Sequence, residues 1–165
     1  IDGTRVGLWG MSAGAQLAAL NAVNCAAGSC VQGFVGWFGA YDIARYMREM
    51  RDDTSVRAFF RCGTDACAAD ILDRASPIRH TDRADPPVLL IHGLDDTNAR
   101  ASQSEHFARQ LRAAGSTVEL VLIPDVKHGF IGATDAATKD ALRQALAATF
   151  DSFHRVLPNP PVAAP

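Results

Sequence analysis

The sequence predicts an α/β fold in which a mostly parallel β-sheet carries helices on both faces. Four short apolar runs lack the polar–apolar alternation of half-exposed strands, as expected for strands that are covered on both sides. Stretches with helical spacing separate these runs, and this alternation is typical of a parallel sheet wrapped by its connections. The 165 residues are 48% hydrophobic and 21% charged, as in an ordinary globular domain.

The predicted elements follow one another in a regular order. Strands are expected at Arg5–Trp9, Gly33–Phe38, Val88–His92 and Val118–Ile123. Helices are expected at Ala13–Val23, Tyr41–Met50, about Ser102–Ala114 before Gly115, and about Ala136–Phe153. Residues 51–85 are charged and show no strand pattern, so we expect a small insertion there, on the side where a pocket would be covered. One domain is predicted over residues 1–156, followed by a proline- and alanine-rich tail or linker at 157–165.

Charge and hydropathy limit the classes of partner. The formal net charge is −2 and the basic residues are scattered, so no nucleic-acid or anionic-membrane surface is expected. No apolar run approaches the roughly 20 residues of a transmembrane segment. We therefore expect a small organic molecule as the partner. The chain begins at Ile1, and we expect that its natural N-terminus is missing.

The four cysteines form two close pairs, Cys25 with Cys30 and Cys62 with Cys67, in segments rich in small and polar residues. This arrangement predicts two local disulfides and an extracellular or periplasmic location. A zinc site built from four thiolates is a competing interpretation, although structural zinc sites usually have tighter cysteine spacing. Free buried thiols are a third possibility.

A candidate nucleophile lies between the first strand and the first helix. Residues Gly10 to Gly14 (GMSAG) match the pattern G-x-S-x-G, in which a serine occupies a sharp strand-to-helix turn. Side chains in place of Gly10 or Gly14 are expected to collide with the neighbouring strand and helix. The N–H of Ala13 would face an oxyanion formed at Ser12. The alternative is a glycine-rich turn whose serine only caps the helix.

A serine nucleophile needs a base, and the base needs a carboxylate that holds its tautomer. His128 follows the last strand and precedes the last helix, which fits the chain order of serine, acid and histidine. The alternative is an ordinary surface-loop histidine. The other histidines are expected to be surface, packing or turn residues: His80 in the insertion, His106 and His154 on helices, and His92 at the end of a strand.

The acid is expected on the turn after the third strand, where Asp95 and Asp96 are adjacent. Either aspartate could cap the turn while the other faces His128. The residue pattern alone leaves both open.

These segments together resemble the esterase and lipase branch of the α/β-hydrolase superfamily, close to the hormone-sensitive-lipase-like and bacterial feruloyl or acetyl esterases. The resemblance covers Val6–Leu20, Ala75–Asp96 and Ser102–Phe130, and more loosely Gly36–Asp42. It implies that the aspartate of an H-G-x-x-D turn is the acid, which selects Asp96, and that the histidine of a G-H-G-F loop is the base. Lys127 replaces the first glycine of that loop, which puts the loop conformation in question.

Such families place an oxyanion motif and several strands before the nucleophile strand. This chain begins at that strand, so it resembles the C-terminal part of the fold, and only Ala13 can be assigned as an oxyanion donor. The N-terminal half is expected from the same precursor or from a partner chain.

The leading hypothesis is hydrolysis of a carboxylic ester through an acyl-enzyme, with Ser12 attacking, His128 transferring the proton and Asp96 orienting His128. No metal or organic cofactor is expected. The nearest enzymatic alternative is a serine peptidase of the prolyl-oligopeptidase type, which usually carries an aromatic residue beside the serine, where this chain has Met11 and Ala13. A truncated hydrolase fold that serves only as an interaction module is the third hypothesis.

Overall fold

The computed structural model describes residues 3–24, 31–50, 54–62 and 67–157. Within this part of the chain, four strands form one parallel sheet in the order β1-β2-β3-β4. The strands are β1 (Gly7–Met11), β2 (Gly33–Trp37), β3 (Val88–Gly93) and β4 (Val118–Ile123). The predicted parallel sheet is confirmed.

The first strand begins and ends two residues later than predicted. In the register of the sheet, Gly7 pairs with Gly33 and Met11 pairs with Trp37. The Ser12 N–H then donates to the Trp37 carbonyl at 3.0 Å. Gly10 had the appearance of a turn residue in the sequence, but β2 provides hydrogen-bond partners as far as Ser12. The strand therefore leads directly into the candidate nucleophile turn.

Six α-helices lie in the described residues: α1 (Ala13–Val23), α2 (Ile43–Glu49), α3 (Thr54–Phe59), α4 (Ala69–Arg74), α5 (Ser102–Ala114) and α6 (Asp135–Val156). The bounds of α1 and α5 are those predicted. Helix α2 is shorter than predicted because the Asp42 carboxylate accepts from Arg45 N at 2.9 Å and caps it. Helix α6 is longer than predicted and begins after Thr134, whose Oγ1 accepts from Ala137 N at 3.2 Å. None of the described helices has the length and hydropathy needed to cross a bilayer.

The helices cover both faces of the sheet, as predicted. Side chains alternate along each strand, so Phe34 and Leu90 enter a core with α1 and α5, whereas Val35 and Ile91 enter a core with α6. All four are at most 1% exposed. The strands are therefore covered on both sides, which explains the continuous apolar runs in the sequence.

Residues 51–85 contain short helices, and no strand is found in their described part. Helices α3 and α4 pack with α2 in a small separate core around Met47 and Leu72. A 3-10 turn at Pro77–Arg79 then rejoins the main domain, because Ile78 is buried in the core beneath α1 and α5 and its N–H donates to the Tyr41 carbonyl at 3.1 Å. The segment that stands apart from the main core thus ends before the predicted boundary at Asp85.

A disulfide links Cys62 to Cys67, with the two Cα atoms 4.7 Å apart, as predicted. It joins the end of α3 to the segment before α4. Because both sulfur atoms are used, this pair cannot provide thiolates to zinc. The predicted pair Cys25 and Cys30, and most of the predicted tail, lie outside the described residues. Among the described residues, no group of three or more histidine, cysteine or acidic side chains is arranged to hold a metal ion.

Strand β1 is an edge of the sheet in the described structure, because it pairs only with β2. Large apolar side chains next to this edge are exposed: Trp9 by 43%, Met11 by 52% and Leu17 by 56%. An uncovered strand edge beside apolar side chains favours association with further polypeptide.

Candidate active site

Ser12 occupies a strained turn between β1 and α1. Its φ of 52° and ψ of −124° place a non-glycine residue at positive φ, where the side chain is crowded against its own backbone. Hydrogen bonds hold this conformation on both sides, from Ser12 N to the Trp37 carbonyl and from Ala15 N to the Ser12 carbonyl, each 3.0 Å. The Ser12 hydroxyl does not cap α1, so the alternative that this serine is only a helix cap is wrong. The turn instead presents the hydroxyl outwards, as in a nucleophile elbow.

The two glycines of the motif have different environments. A Cβ on Gly10 would meet the backbone of Gly14 and would lie 2.8 Å from Ala15 Cα, so the close crossing of strand and helix requires glycine there. A Cβ on Gly14 would meet no heavy atom of the described residues within 4 Å. The prediction that a side chain at Gly14 would collide with its neighbours is therefore wrong for the described residues, because none of their elements packs against that side of α1.

His128 lies in the loop after β4, with its ring beside Ser12. His128 Nε2 is 3.0 Å from Ser12 Oγ. The Phe38 ring meets the imidazole edge-on with centroids 4.8 Å apart, and the buried Phe130 fixes the far end of the loop. His128 is therefore not an ordinary surface-loop histidine.

The lysine that departs from the G-H-G-F pattern does not disturb the loop. Lys127 has φ −90°, which any residue adopts, and its N–H donates to the Ile131 carbonyl at 2.8 Å. Gly129 supplies the positive φ of 73° that the turn needs.

The structure separates the two adjacent aspartates. Asp96 is 4% exposed, and its Oδ2 accepts from His128 Nδ1 at 2.7 Å. Its Oδ1 accepts from the backbone N–H groups of Asn98 and Ala99 at 2.8 and 2.9 Å. Asp95 is exposed, and its N–H donates to the Val126 carbonyl at 3.0 Å, which ties the turn to the loop that carries His128. Asp96 is thus the aspartate that faces His128.

The pKa of Asp96 is lower than its ordinary value. Burial by itself raises this pKa, but hydrogen bonds from His92, Ala99 N–H and His128 and the charge of His128 more than offset that effect. The carboxylate therefore stays ionised at neutral pH despite its burial. An ionised acceptor on Nδ1 keeps the other nitrogen of His128 free to take a proton from Ser12.

The sequence interpretation missed a contact of His92, which it assigned to the turn alone. His92 is fully buried and its Nε2 lies 3.2 Å from Asp96 Oδ2. The spacing of four residues between a histidine and an aspartate across a glycine turn is a signal that could have indicated this contact. The remaining histidines have partners elsewhere or lie on the surface: His80 faces the Arg74 carbonyl, His106 lies 3.7 Å from Asp42, and His154 is exposed.

A cavity of about 840 Å³ opens beside Ser12 and His128. Its walls are mainly apolar: Phe38 comes from the main core, Ile43 from α2, and Val56 and Phe60 from α3 and its end. Among the described residues that line it, one carries a carboxylate, Glu49, and this carboxylate pairs with Arg45 at 2.6 Å. The segment predicted to cover a pocket thus forms one wall of this cavity.

Ala13 borders the same cavity and is the first residue of α1. The first N–H groups of a helix have no intrahelical acceptor, so the Ala13 N–H is available to an anion at Ser12. No second donor for an oxyanion is assigned among the described residues.

Comparisons with known proteins agree with this arrangement. Residues 1–150 match the family model of the prolyl oligopeptidase family. The chain is 30% identical over 142 residues to esterase LipQ of Mycobacterium tuberculosis, which covers 78% of this chain and 34% of that protein. It is 30% identical over 182 aligned residues to the probable carboxylic ester hydrolase LipM of the same organism, covering 99% of this chain and 42% of that protein. The chain thus spans less than half the length of these curated relatives.

Among solved structures, a puromycin-hydrolyzing peptidase of Mycobacterium tuberculosis superposes with a TM-score of 0.80 at 24% identity. The superposition covers 96% of this chain and 23% of that chain, and it supports the fold alone. The expected α/β-hydrolase fold is confirmed, and the family match extends through the nucleophile turn, the acid turn and the histidine loop. The chain belongs to the prolyl oligopeptidase family of α/β-hydrolase serine hydrolases.

Proposed function

We propose that this chain carries the nucleophile, acid and base of an enzyme that hydrolyses carboxylic esters. The observation that carries the proposal is the continuous line of hydrogen-bond contacts from Ser12 through His128 to Asp96, with distances of 3.0 and 2.7 Å. A serine at positive φ, a histidine within reach of its hydroxyl and a buried ionised carboxylate behind that histidine are the parts of a serine-hydrolase triad.

In the proposed reaction, Ser12 Oγ forms a bond to the carbonyl carbon of the ester while its proton moves to His128 Nε2. The negative charge on the carbonyl oxygen faces the Ala13 N–H, and Asp96 stabilises the charged imidazole. The carbon–oxygen bond to the alcohol then breaks, and the alcohol leaves with the proton from Nε2. Water attacks the acyl-enzyme by the same route in reverse, with His128 taking its proton, and the free acid leaves Ser12.

Two observations favour an ester over a peptide as the substrate. Two relatives that align with most of the chain are esterase LipQ and the probable carboxylic ester hydrolase LipM. Met11 and Ala13 flank the serine, where peptidases of the prolyl-oligopeptidase type usually carry an aromatic residue. Peptide hydrolysis is the second candidate, because the matching family model is that of the prolyl oligopeptidase family.

The test compares an aryl ester and an aryl amide of the same acyl group, using the complete protein in which this chain occurs. We expect ester turnover that exceeds amide turnover, labelling of Ser12 by a fluorophosphonate, and loss of both in Ser12→Ala. Ser116→Ala, a matched change just after the C-terminal end of α5, should keep both. Faster amide than ester turnover would favour the peptidase, and equal activity of Ser12→Ala would remove the proposal. A folded protein that neither labels nor hydrolyses either compound would favour the interaction module.

We further propose that the exposed edge of β1 is covered in the active enzyme by strands from the same precursor. The exposed Trp9, Met11 and Leu17 support this, as does the lack of a second assigned oxyanion donor. Losing one such donor typically costs about a hundred- to a thousandfold in rate. Residues 1–165 produced alone should therefore associate and turn over an aryl acetate slowly. A soluble monomer with about 10 turnovers per second would refute this proposal.

We also propose an extracellular or periplasmic location, which the Cys62–Cys67 disulfide supports.

A further inference from the structure

His92 is a fully buried histidine whose two ring nitrogens both have close partners. Nε2 lies 2.7 Å from the Ala99 carbonyl oxygen and 3.2 Å from Asp96 Oδ2. Nδ1 lies 2.7 Å from Ser104 Oγ, and Ser104 is also fully buried. Of the three partners only Ala99 borders the cavity, and all three are at most 5% exposed.

The partners determine the tautomer of His92. A carbonyl oxygen and an ionised carboxylate can only accept, so Nε2 carries the proton and donates to both Ala99 O and Asp96 Oδ2. In the neutral ring Nδ1 is then an acceptor, and the Ser104 hydroxyl donates to it. The two acceptors at Nε2 therefore select the tautomer, and Ser104 holds the ring in the orientation in which Nε2 faces Asp96 as a donor.

Asp96 lies between two histidines. Its Oδ2 receives Nε2–H of His92 and Nδ1–H of His128, while its Oδ1 receives two backbone N–H groups. Four donors around one buried carboxylate leave it no other orientation of similar energy. They also spread its negative charge over more than one partner.

We propose that His92, held by Ser104, is a positioning residue that sets the orientation and the charge that Asp96 presents to His128. This inference rests on the proposed function. A role confined to the turn would need only the bond from Nε2 to Ala99 O. Nε2 also donates to Asp96 Oδ2, which is the same oxygen that accepts from His128. His92 therefore acts on the atom that orients the base.

The inference has a direct consequence for the base. Without the donor from His92, only His128 compensates the negative charge on Asp96 Oδ2. This favours the charged form of the His128 imidazole. The charged imidazole then holds more tightly the proton that the leaving alcohol must receive. The acid limb of the pH–rate profile should therefore move to higher pH. The carboxylate also gains freedom to turn, so kcat should fall.

Other charged groups near His128 do not change in this comparison. Glu49 lines the same cavity as His128, and Asp125 and Lys127 are exposed in the loop that carries His128. Asp95 is exposed on the acid turn. All of them are present in each variant, so a difference between variants reports the loss of the His92 donor.

The experiment compares His92→Asn with His92→Gln in the complete protein. The Asn side chain can reach Ser104 in the manner of Nδ1 but offers nothing at the position of Nε2. The Gln amide nitrogen falls near the position of Nε2 and can donate to Asp96. His154→Asn, at an exposed position of α6, is the matched control. Each variant is measured for the pH profile of kcat/KM with an aryl acetate, for kcat, and for Tm.

We expect His92→Asn to lower kcat about ten- to a hundredfold, the range for loss of a charge-assisted hydrogen bond. The midpoint of its acid limb should rise by roughly half to one pH unit. His92→Gln should stay near wild type in both, and His154→Asn should match wild type.

A His92→Asn variant with a lower Tm but the acid limb and kcat of wild type would overturn the inference and make His92 a purely structural residue. Wild-type protein without Ser12-dependent hydrolysis would instead remove the proposed function. If His92→Asn does not fold, His92→Leu takes its place, because an apolar side chain fills the buried site and also removes the Nε2 donor. An acid limb and a kcat unmoved in folded His92→Leu would then overturn the inference.

Discussion

The substitution Asp96→Asn tests the candidate triad most directly, because four N–H groups point at this carboxylate. His92 and His128 donate to Oδ2, and Asn98 and Ala99 donate to Oδ1. An asparagine amide has one oxygen and one NH₂ group. In either orientation, the NH₂ group therefore opposes two N–H donors.

The orientation of the new amide in Asp96→Asn that has the lower energy inactivates the enzyme. If the NH₂ group faces Asn98 and Ala99, it opposes backbone donors that cannot change their protonation. If it faces the histidines, His128 can adapt by moving its proton from Nδ1 to Nε2. In that tautomer Nε2 can no longer take the proton of Ser12. We therefore expect kcat to fall about a thousand- to ten-thousandfold, as is typical when a triad histidine adopts the wrong tautomer.

Stability should fall as well. His92 Nε2 already donates to the Ala99 carbonyl, so its proton cannot move without losing that bond, and one donor pair stays opposed. An unsatisfied buried polar group costs about 1–3 kcal/mol. The pKa of Asp96 is lowered on folding, so its ionised form stabilises the fold at pH values above the unfolded pKa of about 4. That contribution is lost as the pH falls through the folded pKa, and the difference in stability from Asp96→Asn should shrink there.

The assay combines hydrolysis of an aryl acetate, the rate of fluorophosphonate labelling at Ser12 and denaturant unfolding at several pH values. Asp95→Asn is the matched control, because the Asp95 side chain is exposed and the hydrogen bond to the Val126 carbonyl comes from its backbone N–H. We expect it to change kcat less than about threefold. Equal losses in the two variants, or an Asp96→Asn enzyme within tenfold of wild type, would refute the assignment of the acid.

Three further predictions concern stability and the pocket wall. Tyr41 is fully buried and stacks on Phe107, yet its hydroxyl makes no hydrogen bond of good geometry among the described residues. Urea titration of Tyr41→Phe should therefore give a free energy of unfolding that is unchanged or higher by up to about 1 kcal/mol. A decrease of more than about 1 kcal/mol would contradict this prediction. Burial raises the pKa of Asp85 to about 6. Its protonated carboxyl therefore favours the fold at acid pH, and this contribution is lost as the pH rises through about 6. Measurements of Tm should show Asp85→Asn slightly more stable than wild type at about pH 7.5 and not at about pH 4. Replacing Cys62 and Cys67 together by serine should lower the free energy of unfolding by about 2 kcal/mol or less, because the closed loop is short. The replacement should also raise KM more than it lowers kcat, because the bridge holds the cavity wall formed by α3. An unchanged KM would show that the disulfide does not shape the pocket.

The sequence determined the fold class and the order of the elements because both follow from local patterns. Buried parallel strands give continuous apolar runs, and Gly115 at φ 102° ends α5 at the predicted residue. The nucleophile turn was also predicted from the G-x-S-x-G pattern between a strand and a helix, but only the structure removed the alternative that Ser12 caps α1. Where local signals misled, a partner strand was the cause: Gly10 looked like the end of β1, but the register with β2 extends the strand to Met11.

The tertiary structure decided which side chains meet. Asp95 and Asp96 are chemically identical neighbours, and only the fold of the turn buries Asp96 against His128 and exposes Asp95. The contact of His92 with Asp96 was also missed, because a histidine at the end of a strand is equally compatible with packing alone, although its spacing of four residues from Asp96 was a signal. The pocket wall from α3 depended on how residues far apart in the chain pack together. Local propensity fixes elements and turns, whereas distances between side chains separated by 32 or 116 residues exist only once the sheet has assembled.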